Sequence, residues 1–231
     1  MTDAHCHVTG GDSSVREFLI GRDFIGVHPW EAGELSSEDA RRKTEDLRLR
    51  LSSSASSPST FLLGVGEIGL DRLKDREISP RMREVFEAQL KLALEFNRPV
   101  VLHGAKCWGQ VVSTIHSVIQ SFGHSVISPL LFHGFSRSDG LIPDIIALNG
   151  YISVGPAILN DHAVNYRELA KKIPADRLLI ETDRTAENAA DCPPVAAVAA
   201  KVAELRGVSL AELEVQTDRN AEAFICYNTQ E

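Results

Sequence analysis

Short apolar runs recur along the chain, and each is followed by a longer amphipathic or polar segment. The runs are almost continuous in apolar residues, which is typical of parallel strands that are buried on both faces. They predict strands at residues 2–8, 24–28, 61–67, 99–103, 130–133, 150–155 and 178–182.

The segments between these runs carry apolar residues at helical spacing. They predict helices at residues 80–97, 108–122, 140–148, 166–173 and 194–206. Ser209 and Glu212 have the spacing of a capping box, which predicts that a last short helix begins there. Residues 218–224 are predicted to close the chain as another helical turn or two.

Strand alternating with helix predicts a parallel sheet covered by helices, and about seven such units favour a TIM-type (β/α) barrel. We expect one domain over residues 1–231, with the serine-rich stretch 52–59 as a surface loop inside it. A doubly wound sheet is the alternative, but no Gly-x-Gly-x-x-Gly motif follows the first strand.

Charge and cysteine content narrow the functional classes. The 231-residue chain has a formal net charge of −8, which argues against broad electrostatic binding of nucleic acid, so a nuclease would need a local basic patch or bound cations. Its four cysteines show no CxxC spacing, and neither a signal peptide nor a membrane span is predicted. We therefore expect a cytoplasmic monomer that does not bind a membrane.

Polar residues with metal-binding chemistry recur at the ends of the predicted strands, where a barrel of this type carries its active site. His5 and His7 share one face of the first predicted strand because side chains alternate along a strand. Later predicted strands end at or near His28, Glu67, His103, His133 and Asp183. By contrast, His116, His124 and His162 lie in helix or loop patterns and are predicted to be structural or on the surface.

Taken singly, each of these residues has an ordinary structural interpretation as a core histidine or a helix cap. Four imidazoles and two carboxylates that converge would be costly to bury without a cation. The predicted metal ligands are therefore His5, His7, Glu67, His103, His133 and Asp183.

The chain resembles the TatD family of metal-dependent deoxyribonucleases, within the amidohydrolase-like TIM barrels. The resemblance covers essentially the whole chain. It rests on Asp3-Ala-His-Cys-His7, Gly26-Val-His-Pro29, Gly66-Glu-Ile-Gly-Leu-Asp71, Pro99-Val-Val-Leu-His103, His133-Gly-Phe-Ser136, Ile180-Glu-Thr-Asp183 and Asn220-Ala221.

The resemblance implies hydrolysis of phosphodiester bonds in DNA with two divalent metal ions, and some members of the family are linked to removal of D-aminoacyl groups from tRNA. It implies that His5, His7, Glu67 and Asp183 hold one ion, that Glu67, His103 and His133 hold the other, and that Glu67 bridges the two. Asp183 would also act as general base toward an activated water. The histidine-rich ligand set favours zinc, manganese, iron or nickel, while the resemblance also admits magnesium.

The sequence departs from the family pattern at three places. The interval 8–25 is compressed, so that one βα unit near the N-terminus is shortened or lost. Lys106 stands where the family often has arginine, and Arg184 follows Asp183 where serine is usual. Predicted phosphate contacts are His28, Lys106, Ser136 and Arg184, with Arg72 as a further candidate.

Two alternatives to a deoxyribonuclease stay open. One is a metallohydrolase whose substrate is a small phosphoester, an amide or lactone, or an aminoacyl ester, which the acidic net charge and the altered surroundings of Lys106 and Arg184 favour. The other is a non-catalytic binding module, which would be expected to have lost metal ligands.

Overall fold

The computed structural model describes residues 1–54, 62–74, 76–122 and 128–226, which form two compact units. Unit 1 comprises Met1–Ile20 and Leu131–Cys226, and unit 2 comprises Gly21–Leu130. The single-domain organisation predicted from the sequence stays a prediction. Within the described ranges, no helix combines the length and the apolar composition that a membrane span requires.

The strands are β1 (Thr2–Cys6), β2 (Arg16–Leu19), β3 (Phe24–Ile25), β4 (Gly64–Asp71), β5 (Val100–Ala105), β6 (Leu130–Phe132), β7 (Gly150–Val154) and β8 (Leu178–Ile180). The α-helices are α1 (Pro29–Ala32), α2 (Ser37–Ser54), α3 (Pro80–Glu95), α4 (Trp108–Phe122), α5 (Ile142–Ala147), α6 (Val164–Lys172), α7 (Val195–Arg206) and α8 (Leu210–Ile225).

Unit 1 contains two parallel strand pairs, β1 with β2 and β7 with β8. Every residue of β1, β7 and β8 is buried, which explains why β7 and β8 are almost uninterrupted apolar runs in the sequence. β1 differs, because it buries the polar residues Thr2, Asp3 and His5. Helix α8 is anchored to this unit by Asn220, whose side-chain amide donates to the carbonyls of Ala175 and Leu178, each at 2.8 Å.

Unit 2 contains the parallel strands β3, β4 and β5. All eight residues of β4 are buried, and its neighbour β5 is mostly buried. Helix α3 begins at Pro80, with Ser79 as N-cap accepting from the backbone N–H of Met82, and buries a broad apolar face. A small core of Val27, Ala32, Ala40 and Val85 packs α1 and α2 against α3.

The compressed N-terminal interval contains a strand that the sequence analysis did not predict. β2 pairs in parallel with β1, and residues 7–15 between them contain no helix. A parallel connection normally includes a crossover helix, which needs a longer segment than this one. The prediction of one shortened βα unit is therefore confirmed, and the unit keeps its strand and loses its helix.

Three predicted strand ends and the predicted division of the C-terminal helix need correction. β4 continues to Asp71 and β5 to Ala105, so Glu67 and His103 lie inside strands rather than at their ends. The predicted strand 24–28 stops at Ile25, because Pro29 begins α1 and has no N–H for a strand ladder. The two short C-terminal helices predicted from the sequence form one helix, α8, which has no internal glycine or proline to interrupt it.

Helix α2 was missed because it is mostly polar and buries little beyond Ala40, Leu47 and Leu51. It also includes residues 52–54 of the serine-rich stretch that was predicted as a loop. Residues 55–59 of that stretch lie outside the described ranges, as do Phe61 and His124.

Candidate metal centre

The first group of candidate ligands, the unit 1 cluster, consists of His5, His7, His133 and Asp183. Nε2 of His5 and Nε2 of His7 lie 3.5 Å and 3.6 Å from Oδ1 of Asp183. The rings of His5 and His133 stack with centroids 4.0 Å apart. One donor atom each from His5, His133 and Asp183 falls within 4.8 Å of the other two, close enough for the three to share an ion.

Backbone contacts between β1 and the segment after β8 position this cluster. The N–H of Asp183 donates to the carbonyl of His5 at 3.0 Å, and the N–H of His7 donates to the carbonyl of Arg184 at 2.8 Å. Asp183 itself has φ of 49°, in the left-handed region that few non-glycine residues adopt. The fold therefore imposes an unusual backbone conformation at the carboxylate that faces both histidines.

The buried carboxyl group of Asp3 also links β1 to the segment after β8 by hydrogen bonds. It accepts from the N–H and the hydroxyl of Thr182 at 3.0 Å and 2.6 Å. Burial raises the pKa of Asp3 to about 6, although the hydrogen bonds from Thr182 act in the opposite direction. In the sequence, Asp3 stands out only as part of a motif. In the structure it binds Thr182, the residue next to Asp183, and so helps to position the cluster.

Glu181 is a second carboxyl group that sequence reasoning missed. It is buried, accepts from the N–H of Gly134 at 2.8 Å and from the hydroxyl of Ser153, and places Oε1 3.9 Å from Nδ1 of His133. Burial raises the pKa of Glu181 to about 7. The available signal was an acidic residue directly after an apolar strand, but the sequence alone could not separate it from Asp183 two positions later.

Asp183 is the solvent-facing member of the unit 1 cluster. Its side chain is 49% exposed, whereas His5 is fully buried. Partial burial would raise the pKa of Asp183, but hydrogen bonds from His5 and His7 and the positive charge of His133 outweigh this and hold the pKa well below its usual value. The carboxylate is therefore ionised at neutral pH and available as a ligand or proton acceptor.

The second group of candidate ligands, the unit 2 cluster, consists of His28, Glu67 and His103. Nδ1 of His103 lies 2.6 Å from Oε1 of Glu67, and Nε2 of His28 lies 3.8 Å from the same oxygen. One donor atom from each of the three residues lies within 4.8 Å of the others. Gly69 on β4 lies opposite His103 on β5. The two backbones are so close that a Cβ atom at position 69 would stand 2.0 Å from the carbonyl oxygen of His103.

Asp71 holds the imidazole of His103 from the other side, with Oδ2 2.7 Å from Nε2. The carboxyl group is buried, which opposes ionisation, but the hydrogen bonds with His103 and with the N–H groups of Leu73 and Lys74 lower the pKa of Asp71 to about 2. An ionised carboxylate can only accept, so Nε2 of His103 donates to Asp71, and Nδ1 is the nitrogen that could exchange its proton for a cation beside Glu67. This is the arrangement in which a carboxylate orients a metal-binding histidine.

The capping geometry of α1 assigns a different role to His28. Its Nδ1 accepts from the N–H of Trp30 at 3.2 Å as the N-cap of α1. A neutral imidazole has one acceptor nitrogen, so Nε2 of His28 carries the proton and acts as a donor. This protonation favours a contact with an anionic oxygen over ligation of a metal by His28.

The remaining predicted substrate contacts lie in different surroundings. Lys106 is exposed at the end of β5 and has φ of 57°. Ser136 is half-buried in the turn after β6. Arg184 donates from its two terminal nitrogens to the carbonyls of Ala189 and Cys192, both at 3.3 Å, so its charge is directed into its own loop. Roles in substrate binding for these residues stay predictions.

Both clusters combine imidazole nitrogens with carboxylate oxygens, a donor set that suits divalent transition-metal ions. The six predicted ligands all fall in one or other cluster, four in unit 1 and two in unit 2. His116 and His162 are exposed and lie in neither cluster, as predicted. The chemistry of the donors therefore fits a metal-dependent enzyme.

Comparison with known proteins connects this chemistry to a family. A sequence profile described as "TatD related DNase" matches residues 18–225. The chain is 29% identical over 230 residues to an uncharacterised metal-dependent hydrolase, YabD, of Bacillus subtilis, covering 96% of this chain and 84% of that protein. It is 30% identical over 208 residues to a protein of Pantoea vagans named 3′-5′ ssDNA/RNA exonuclease TatD, covering 85% and 74% of the two chains.

Among solved structures, the chain is similar to YJJV, a TatD homologue of Escherichia coli K12. The TM-score is 0.71 at 24% identity, and the similarity covers 94% of this chain and 78% of the other. A likeness at this level of identity shows the fold. The prediction of a TIM-type (β/α) barrel is thereby confirmed.

Proposed function

Because the chain belongs to the TatD-related DNase family and is a metal-dependent hydrolase, we propose that it hydrolyses phosphodiester bonds of DNA. The observation that carries the proposal is the pair of clusters in which imidazoles face a carboxylate, His5 and His7 with Asp183 and His103 with Glu67. His5 and Glu67 are buried, and a charge on a buried group is costly unless hydrogen bonds or an opposite charge, such as a cation, compensate it.

We propose one divalent cation for each cluster. Such a cation supplies Lewis acidity toward a phosphoryl oxygen and lowers the pKa of water. Zinc, manganese, iron, nickel and magnesium stay candidates for its identity. The role of Glu67 as a ligand of both ions, which the family resemblance implies, stays a prediction.

The protein's own residues supply the proton acceptor and the donors. Asp183 is ionised at neutral pH and half-exposed, so it can accept the proton of the attacking water. The protonated Nε2 of His28 can donate to a phosphate oxygen, and the exposed ammonium of Lys106 can neutralise part of its charge. The contacts of His28 and Lys106 would stabilise negative charge as it develops on the phosphate.

A small-ester hydrolase is the second candidate, and the position of Arg184 favours it. The guanidinium group is engaged by the carbonyls of its own loop, which leaves fewer cations for a long polyanion on a chain of net charge −8. A small phosphoester, amide or aminoacyl ester would need fewer such contacts.

The test is hydrolysis of end-labelled single-stranded DNA and of small esters by chelator-treated protein reloaded with magnesium, manganese or zinc. We expect cleavage of DNA that depends on the metal and is abolished in Asp183→Asn, while the thermal unfolding of that variant remains cooperative. The name of the Pantoea vagans relative suggests 3′ label as the first to be released. Turnover of small esters without cleavage of DNA under any of the metals would refute the proposal. The monomeric state and the cytoplasmic location stay predictions.

A further inference from the structure

Trp30 exposes an aromatic surface that the chemistry described so far does not use. Its residue surface is 49% exposed, whereas Trp108, the other tryptophan of the chain, is 5% exposed and closely approaches Gly104. Tryptophan is highly buried on average in folded proteins. An indole that is left half-exposed on a well-packed element is therefore available to a ligand.

The backbone beneath Trp30 is firmly held. Pro29 and Ala32, on either side of it in α1, are buried, and Ala32 belongs to the small core that packs α1 and α2 against α3. An ion pair of 2.6 Å between Glu31 and Lys43 also joins α1 to α2. A rigid aromatic platform loses little conformational entropy when a ligand binds to it.

This platform lies directly beside the unit 2 cluster. The ring centroids of Trp30 and His28 are 5.0 Å apart, with the planes nearly perpendicular at 82°. Nε2 of His28 is in turn 3.8 Å from Oε1 of Glu67. A substrate whose phosphate contacts His28 would therefore have its next chemical group within reach of the indole.

The loop after β4 lies beside α1, the helix that carries Trp30. Leu73 is 57% exposed in the loop after β4, and Lys74 of that loop pairs with Glu34, just beyond α1. The N–H of Arg72 donates to the carbonyl of Ala105 at 3.0 Å, which places Arg72 beside the exposed Lys106. An aromatic side chain with cations along the path of the backbone is the combination that binds single strands, and here Trp30 would supply the aromatic ring and Lys106 a cation.

We propose that Trp30 stacks on an unpaired base of a nucleic-acid substrate whose phosphate is held at the unit 2 cluster. The inference rests on the proposed function and adds the feature by which the substrate is selected. A base inside a duplex has both faces covered by its neighbours, so stacking on Trp30 would be this chain's own basis for the single-strand substrate that the name of the Pantoea vagans relative states. Every base has a π-face, so the selection tolerates any sequence.

The test is a binding titration in which the intrinsic tryptophan fluorescence of the whole protein is measured. The two ligands are a phosphorothioate oligothymidylate and an abasic tract of equal length. We expect the oligothymidylate, and not the abasic tract, to quench the emission of Trp30. In Trp30→Ala, followed by anisotropy of a labelled oligonucleotide, the Kd for oligothymidylate should rise roughly 5- to 100-fold. Trp30→Phe should retain most of the affinity.

Leu49→Ala serves as the matched control, because Leu49 is 61% exposed on α2 in the same unit, and its Kd should equal that of the wild type. Equal affinities of wild type and Trp30→Ala, or an equal loss of affinity for the abasic tract, would overturn the stacking role. If the wild type cleaves DNA while Trp30→Ala binds it normally, the inference alone fails. If the wild type neither binds nor cleaves nucleic acid, the proposed function fails with it.

Discussion

Replacement of Asp71 by asparagine removes one negative charge and almost no volume from the buried end of β4. The two carboxylate oxygens have different partners: Oδ1 accepts from the N–H groups of Leu73 and Lys74, and Oδ2 faces Nε2 of His103. In Asp71→Asn, the amide oxygen must serve the two backbone donors, so the amide NH₂ faces His103. Nε2 of His103 then becomes the acceptor, so the single proton of the neutral ring must lie on Nδ1, the nitrogen directed to Glu67.

The magnitude follows from the pKa of Asp71. A pKa of about 2, against an ordinary value of 3.8, corresponds to about 2 kcal/mol of stabilisation of the ionised form in the folded protein. Because the folded-state pKa is lowered, this stabilisation is present above pH 3.8 and is lost as the pH falls through 2. We expect Asp71→Asn to lower the free energy of unfolding by about 2 kcal/mol at pH 7, with a smaller difference at pH 3.

Metal affinity should change more distinctively than stability. With its proton on Nδ1, His103 can no longer offer a lone pair beside Glu67, and loss of such an orienting carboxylate typically costs about 10- to 100-fold in metal affinity. Calorimetric titration of zinc into chelator-treated protein measures this, and urea unfolding measures stability. Asp46→Asn makes the same change at an exposed position on α2 and should alter neither. Unchanged zinc affinity in Asp71→Asn would refute the orienting role of Asp71.

Two further predictions concern a buried acid and a glycine. In chelator-treated protein, folding raises the pKa of Glu181 from 4.5 to about 7, so its contribution to the free energy of unfolding should fall by up to roughly 3 kcal/mol as the pH rises through that interval. In Glu181→Gln, the free energy of unfolding from denaturant titrations should depend less steeply on pH. An unchanged pH dependence would contradict this prediction. Gly69→Ala should destabilise the protein by at least about 3 kcal/mol, because φ is 149° and the new Cβ would meet the carbonyl oxygen of His103. The control is Gly109→Ala, whose Cβ would meet nothing within 4 Å, and it should change the free energy of unfolding by less than about 1 kcal/mol. Equal effects of the two changes would argue against the close approach of β4 and β5.

Much of the fold could be predicted from hydrophobic patterning because its strands are buried on both faces. β7 and β8 appear as apolar runs for that reason, and helix α4 was predicted with its observed bounds. β2 escaped prediction because it is short and only its last two residues are buried. No local pattern distinguishes such a strand from a loop, since it is stabilised mainly by its pairing with β1.

The candidate ligands could be predicted because they stand next to apolar runs, but their supporting carboxylates could not. Asp3, Asp71 and Glu181 lie within four residues of a predicted ligand, and in the sequence they are ordinary acidic residues beside a strand. Only the hydrogen bonds to Thr182, His103 and Gly134 show which ligand-bearing segment each one holds. Those partners are distant in sequence, so their pairing is a property of the fold.

His28 shows how a local rule of helix formation reaches into the chemistry of the site. Proline restricts the preceding residue to extended backbone and is well suited to the first position of a helix, which is why His28 can serve as the N-cap of α1. The observed φ of −60° and ψ of 147° agree, and capping commits Nδ1 of His28 to the N–H of Trp30. The same bond fixes the proton on Nε2 beside Glu67 and holds the indole beside the imidazole. One capping interaction thus connects His28, the proposed hydrogen-bond donor to a phosphate oxygen, to Trp30, the proposed stacking surface for a base. Trp30 would therefore affect substrate selection through its position beside His28.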